Sequence, residues 1–375
     1  AHAVYSPDAR RPVEVDAAHE DQLVAWLSKR MGAPMKPAHL QSQGYTLEAG
    51  KAGVAVVGDD AAGLLYGVQT LRQLLRTTAG GVQAPAVQIA DWPEYPLRGW
   101  QYDIARGQTI NLDFCKRLVR ESARHKMNCI MLYMEGDFIF EKYPFVGREG
   151  TFDRAKAQAL DAYATQYHLQ LIPQYEALGH ASATLKHEEL KDLRENGSSW
   201  VYCTSEPKTW QFLDDVFGEL AAAFPHCKYF HVGADEFEGG FALCPRCKPK
   251  GVGPCYVEHM KKLNDICKQY GRKMLFWPSH RAERDEISYL SLKYAKDMPK
   301  DCIPTEWIYH GPAAYPEIAQ YQEAGYEDVI VSPAVVDYSV IWPDYVMTFR
   351  GIKGFYDAGR MPTPRQGGVS AQPTG

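Results

Sequence analysis

The sequence predicts an α/β protein, a (β/α)8 TIM-type barrel preceded by a small α+β accessory domain. Three observations carry this prediction. After Leu97, short β-rich runs are each followed by a longer amphipathic segment, the pattern of parallel strands joined by helical crossovers. Eight such runs can be counted, the number that closes a barrel rather than an open sheet. The 375 residues also exceed the ~250 that such a barrel commonly takes, which leaves room for one further domain.

In chain order, residues 21–31 carry apolar side chains at helical spacing. Strands are expected over 44–48 and 53–57, a helix over 61–75, and a strand over 86–90. The segment Asp91-Trp-Pro-Glu-Tyr-Pro96, with two prolines, reads as the linker, so the domains are expected at 1–95 and 96–375. The eight barrel runs are 98–104, 128–134, 169–175, 229–233, 273–277, 303–308, 329–332 and, more weakly patterned, 367–372. Because the chain stops at the eighth run, an eighth outer helix would fall beyond Gly375, and the expectation is either a truncated barrel or other elements covering that gap.

Composition narrows the function classes. With 45% hydrophobic and 23% charged residues, this is an ordinary globular chain able to bury a large core. The net charge of -5, without a dense Lys/Arg block, argues against nucleic acid as a partner. No apolar run reaches the ~20 residues needed to cross a bilayer, so a soluble protein is expected. The chain opens Ala1-His2-Ala3 rather than with Met, and the expectation is that a signal peptide or a tag has been removed. Exported and cytoplasmic locations both stay open, as does the oligomeric state.

The nine cysteines, an odd number over a long chain, argue against a disulfide framework. Cys244-Pro-Arg-Cys247, with Cys255 eight residues on, has a spacing that lets thiolates reach one zinc ion, with Cys203 or His259 as a fourth ligand. Thiols in a loop are the plainer reading, and neither a metal nor a cofactor is expected.

Barrel chemistry sits at the carboxyl ends of the strands, where loops converge. The polar residues there are Asp103 and Arg106, Glu135 and Asp137, Glu176 and His180, Asp235 and Glu236, Trp277, Glu306 with Trp307, and Tyr338. His231-Val-Gly-Ala-Asp235-Glu236 places adjacent carboxylates just after a short apolar strand, where repulsion and burial would push their pKa values apart. Neighbouring strand residues face opposite ways, so both acids reach one pocket only if the strand ends and the backbone turns. Trp277, Trp307, Tyr338 and Trp342 could stack on sugar rings, with core packing as the alternative for each.

Several motifs in order resemble glycoside hydrolase family 20, the β-N-acetylhexosaminidases. The stretch from Gly63 to Leu74, Gly-Leu-Leu-Tyr-Gly-Val-Gln-Thr-Leu-Arg-Gln-Leu, resembles the helix of the family's N-terminal domain. Arg98-Gly-Trp-Gln-Tyr-Asp103-Ile-Ala-Arg106 resembles the opening barrel strand. Ala177-Leu-Gly-His180 is similar to the family's P-G-H turn, and the His231 to Glu236 stretch to its H-x-G-G-D-E signature. This resemblance implies a retaining, substrate-assisted, exo-acting hydrolase without a cofactor, in which the substrate's own acetamide is the nucleophile. Its substrate would be a glycan or glycoconjugate ending in GlcNAc or GalNAc. It further implies that Glu236 is the general acid and base and that Asp235 holds the acetamido N–H and stabilises an oxazolinium intermediate. Arg106 would bind sugar hydroxyls, Tyr338 the acetamide carbonyl, and Trp277 and Trp307 would wall the acetamide pocket. His180 would link to the acid, with Glu135 or Asp137 as its partner carboxylate.

There are departures from the family pattern. Ala234 replaces a signature glycine, and Leu132-Tyr-Met-Glu-Gly-Asp-Phe138 replaces H-x-T-D-D, resembling a divergent branch that includes the hexosaminidase D type. Val340 stands where an aspartate is common, and Trp342 is the candidate for a pocket wall missing from the eighth run. The alternatives are a non-catalytic glycan-binding barrel and a glycosidase using two enzymic carboxylates, for instance Glu236 with Glu176.

Overall fold

In the computed structural model, the described residues are 2–4, 13–15, 17–36, 40–107, 109–237, 240–279, 290–336, 341–359 and 369–371. They form two compact units: Ala1–Glu94 with Leu118–Asn128 and Gln166–His168, and Tyr95–Arg117 with Cys129–Thr165 and Leu169–Gly375.

The first unit centres on an antiparallel sheet in which Tyr45–Gly50 lies between Gly53–Gly58 and Val87–Asp91. Strand alternation sends Tyr45, Leu47 and Ala49, with Val56, against Tyr66 and Leu71 of the helix Ala61–Leu74. Ala55 and Val57 point the other way, into a cluster with Val24, Leu27, Met31 and Met35. Asp60 caps the helix by accepting from the Gly63 amide at 2.8 Å. A Cβ on Gly63 would stand 2.0 Å from the Gly44 carbonyl oxygen, so the glycine lets helix and sheet meet. The helix expected over 21–31 begins earlier, as Ala17–Met31, and the hairpin of Arg76–Thr78 with Gly81–Gln83 was too short to be read from patterning.

The second unit holds eight strands in sequence order. They are β1 (Gly99–Asp103), β2 (Cys129–Tyr133), β3 (Gln170–Gln174), β4 (Tyr229–His231), β5 (Lys273–Phe276), β6 (Ile303–Ile308), β7 (Val329–Pro333) and β8 (Val369–Ala371). Every neighbouring pair is parallel. Seven of the expected runs contain their strands, the seventh strand extends one residue past its run to Pro333, and the architecture is the TIM-type α/β barrel. All five side chains of β2 and of β7 are buried, as required of parallel strands covered on both faces. Helices such as Leu112–Arg124, Arg154–Thr165, Pro207–Ala223 and Val252–Gln269 supply the crossovers.

One insertion matters for the site. Between β3 and Pro207–Ala223, Arg194–Glu195 and Ser198–Tyr202 form a hairpin. Its turn residues, Asn196 (φ 49°) and Gly197 (φ 80°), both adopt the left-handed backbone that Asn-Gly hairpin turns favour. No helix among the described residues is long and apolar enough to cross a membrane.

Candidate active site

The regular backbone of β4 ends at His231. Gly233 (φ 65°), Ala234 (φ 78°) and Glu236 (φ 43°) then take left-handed conformations, which break the strand alternation that would separate adjacent side chains. Both carboxylates consequently approach one atom. His180 Nε2 is 3.0 Å from Glu236 Oε2 and 3.6 Å from Asp235 Oδ2. The two acids differ in environment: the Asp235 side chain is 16% exposed and that of Glu236 46%.

The surrounding loops fix this turn from two sides. Trp200, on the hairpin, donates its Nε1–H to the Glu236 carbonyl oxygen at 2.6 Å, and its ring lies 4.5 Å from that of His180. Beneath the turn, Glu176 is buried, and Gln174 Nε2 donates to its Oε1 at 2.9 Å. A Cβ on Gly233 would lie 1.9 Å from Glu176 Oε2, so only glycine leaves space for that carboxyl. His231 is also fully buried; its Nδ1 accepts from the Gly233 amide at 3.1 Å, and burial keeps the ring neutral.

The electrostatics follow from crowding three acids around one histidine. Burial raises the Glu176 carboxyl well above its usual range, and the Asp235 charge adds to this. Asp235 is raised as well, first by burial and further by Glu236, while His180 opposes the shift. Burial alone would lower His180, but its hydrogen bond to Glu236 and the charges of Asp235 and Glu176 outweigh it and hold the imidazole at about 9. His180 and Glu236 can therefore pass a proton along their hydrogen bond, next to a second carboxyl group. Such a pair can deliver a proton to a leaving oxygen and take one back from water.

A further layer lines the ends of β1 and β2. Arg106 donates to Asp103 Oδ2 and, at 3.4 Å, to the Tyr133 hydroxyl; its Nη2 is 3.5 Å from Glu135 Oε1. The Tyr133 hydroxyl donates to Glu135 Oε1 at 2.6 Å. Asp137 is instead taken by Arg148, which donates to its two oxygens at 2.7 and 2.5 Å. The expectation that Glu135 or Asp137 partners His180 is thus corrected: Glu135 serves the Arg106–Tyr133 cluster, Asp137 serves Arg148, and the carboxylates at His180 are Glu236 and Asp235.

Among the aromatic candidates, Trp277 is almost fully buried and packs on His231, ring centroids 4.4 Å apart. Trp307 is partly buried and donates Nε1–H to the Pro278 carbonyl at 2.9 Å. Trp342 is 75% exposed, and Tyr338 lies outside the described residues. Trp200 and Tyr133 were not anticipated. Asn196-Gly197 was the available signal for the Trp200 hairpin, and alternation along β2 was the one for Tyr133.

The cysteine reading changes too. All nine cysteines are free. Cys244 and Cys247 gather with Cys203 and Glu195, whereas the Cys255 thiol donates to the Cys247 carbonyl at 3.5 Å. His259 is occupied at both ring nitrogens, by the Ala177 carbonyl and Thr204 Oγ1.

Comparison with known proteins identifies this arrangement. The sequence profile described as "Glycosyl hydrolase family 20, catalytic domain" matches residues 95–339, and "Glycosyl hydrolase family 20, domain 2" matches residues 6–92. The chain belongs to glycosyl hydrolase family 20. Among its relatives, a β-hexosaminidase of Porphyromonas gingivalis is 26% identical over 286 residues, 64% of this chain and 36% of that protein. A β-hexosaminidase of Vibrio furnissii is 22% identical over 351 residues, 84% of this chain and 55% of that protein. The chain thus spans about a third to a half of the length of these relatives. The crystal structure of a Bacteroides fragilis β-N-acetylhexosaminidase superposes with a TM-score of 0.72 at 20% identity, covering 90% of this chain and 73% of that one. A family 20 β-N-acetylhexosaminidase of Streptomyces coelicolor gives 0.71 at 21% identity, covering 100% and 83%. Both likenesses are of fold.

Proposed function

We propose that this chain is an exo-acting β-N-acetylhexosaminidase that removes terminal GlcNAc or GalNAc from a glycan by substrate-assisted, retaining catalysis. Residues 1–95 would be its accessory domain and 96–375 its catalytic barrel. The observation that carries the reading is the convergence of Asp235 and Glu236 on His180 Nε2, at 3.6 and 3.0 Å, after the strand has ended.

Glu236, the more exposed acid and the one hydrogen-bonded to His180, protonates the glycosidic oxygen and later activates water. Asp235, more enclosed, accepts from the acetamido N–H and stabilises the positive charge of the oxazolinium. Such stabilisation is strongest where water is excluded. Arg106, held by Asp103, Tyr133 and Glu135, binds sugar hydroxyls. Trp277 and Trp307 wall the acetamide pocket, and Tyr338 donates to the acetamide carbonyl. Glu176 does not suit the part of an enzymic nucleophile, because it is buried beneath the turn and closed off by Gly233. That favours acetamide assistance over a second carboxylate.

Nitrophenyl glycosides test this directly. The β-GlcNAc and β-GalNAc substrates should release nitrophenol while the plain β-glucoside stays intact. Comparable cleavage of the glucoside would overturn acetamide assistance, and absence of turnover on all three would favour a glycan-binding barrel.

A further inference from the structure

Outside the candidate active site, a dense group of metal-ligating side chains among the described residues lies where the β3 and β4 loops meet. Cys203, Cys244, Cys247 and Glu195 are all buried, and their ligand atoms lie within 4.8 Å of one another. Cys203 Sγ is 3.7 Å from Cys244 Sγ and 3.8 Å from Cys247 Sγ. A disulfide would need about 2.05 Å. Thiolates about 2.3 Å from a central zinc stand about 3.8 Å apart along each tetrahedral edge, which matches both distances from Cys203.

The fourth group is already positioned. Glu195 Oε1 accepts from the Leu243 and Cys244 amides at 2.7 and 2.6 Å, while Oε2 is buried and accepts no hydrogen bond among the described residues. Burying a carboxylate beside three thiols is costly unless a cation joins them. The Cys247 amide donates to Cys244 Sγ at 3.3 Å, and Arg246 lies beside Cys203, so donors and positive charge are in place for thiolates.

We propose that Cys203, Cys244, Cys247 and Glu195 bind one structural zinc ion that staples the loop after β3 to the loop after β4. The ligand set, two C-x-x-C thiolates with a third thiolate and a carboxylate, suits tetrahedral zinc, and its burial leaves no open position for substrate. Its placement gives it a purpose. Glu195 and Cys203 flank the hairpin that carries Trp200, and Cys244 and Cys247 follow Glu236, so the ion closes the loop pair that Trp200 bridges through the Glu236 carbonyl. These four residues position the acid and do not touch substrate. The assignment rests on the thiols and holds whether or not the glycosidase reading does.

The full chain, purified under reducing conditions and gel filtered, should retain one zinc per molecule by elemental analysis. Cys203→Ala should retain less than a tenth of that, and Cys255→Ala the full equivalent. Glu195→Gln should weaken zinc at least tenfold in competition with a chromogenic chelator. Cobalt(II) in place of zinc should give thiolate charge-transfer bands and the intense visible bands of a tetrahedral site. Should Cys203→Ala fail to fold, the cobalt spectrum of the unsubstituted protein decides, together with alkylation of Cys203, Cys244 and Cys247 only after chelation. No zinc either as purified or after adding zinc to reduced protein would overturn the proposal. So would a weak octahedral cobalt spectrum, a disulfide within the trio, or undiminished zinc in Cys203→Ala.

Discussion

Gly233 and Glu176 show how tightly single residues are specified around the candidate site. An added methyl at Gly233 would meet a left-handed backbone, a strain that no side-chain movement relieves, and would force the buried Glu176 carboxyl, held by Gln174, to shift. Gly233→Ala should destabilise the chain by about 3 kcal/mol in urea unfolding, and Glu176→Ala in the same chain should restore part of the loss. An unchanged midpoint in the single variant would refute the packing argument. The two acids should differ kinetically. Glu236→Gln should abolish turnover on substrates with poor leaving groups while sparing activated ones. Asp235→Asn should slow the first step for every substrate, and near-native rates in either would count against the assigned roles. That both acids would face one site was open from sequence, because it required a turn whose backbone angles no motif states. Conversely, Glu176 was visible only as one polar residue among many at strand ends, since its burial under Gly233 is a tertiary fact.

At the level of elements, the Trp200 hairpin does what a strand end alone cannot. The β4 turn is short and strained, and its carbonyl at Glu236 is held from outside by an indole N–H. Trp200→Phe removes that donor while keeping most of the ring, so a stability loss of about 1 kcal/mol is expected with a several-fold fall in kcat. A variant with unchanged kcat would show that the hairpin does not position the acid. This element was legible in principle: Asn196-Gly197 is a strong two-residue hairpin signal, but it sits in what the barrel pattern treats as a loop. Barrel strands such as Cys129–Tyr133 were easy to read because they are continuous apolar runs. The short hairpins were hard, because two or three residues carry no periodicity.

Across the whole molecule, the barrel was readable from a repeat of eight runs. Beside the C-x-x-C pair, by contrast, Cys203 stood only as one of two alternatives and Glu195 was not readable at all, because their separation in sequence exceeds forty residues. The pH dependence of stability is likewise a sum over the fold. Carboxylates such as Asp215, Glu258 and Asp301 are held below their usual range. For Asp301 the Lys268 hydrogen bond leads. For Asp215 and Glu258, burial pushes the other way and the hydrogen-bonded partners overcome it. A lowered carboxyl stabilises the fold above its unfolded pKa, and that contribution is lost as pH falls through the folded value. The site cluster has the opposite sign. His180, raised from 6.5 to about 9, stabilises the fold fully below 6.5, and this is lost as pH rises through about 9. Glu176 and Asp235 are also raised, so ionising them costs stability in the same direction. The unfolding free energy should therefore pass through a maximum in mildly acidic solution and fall towards about pH 9 by an amount on the order of 2 kcal/mol, with the melting temperature following it. Thermal unfolding followed across that range checks this. His180→Gln should flatten the alkaline fall while leaving the acid side unchanged, and an identical alkaline fall in the variant would show that the histidine does not hold its proton in the folded protein.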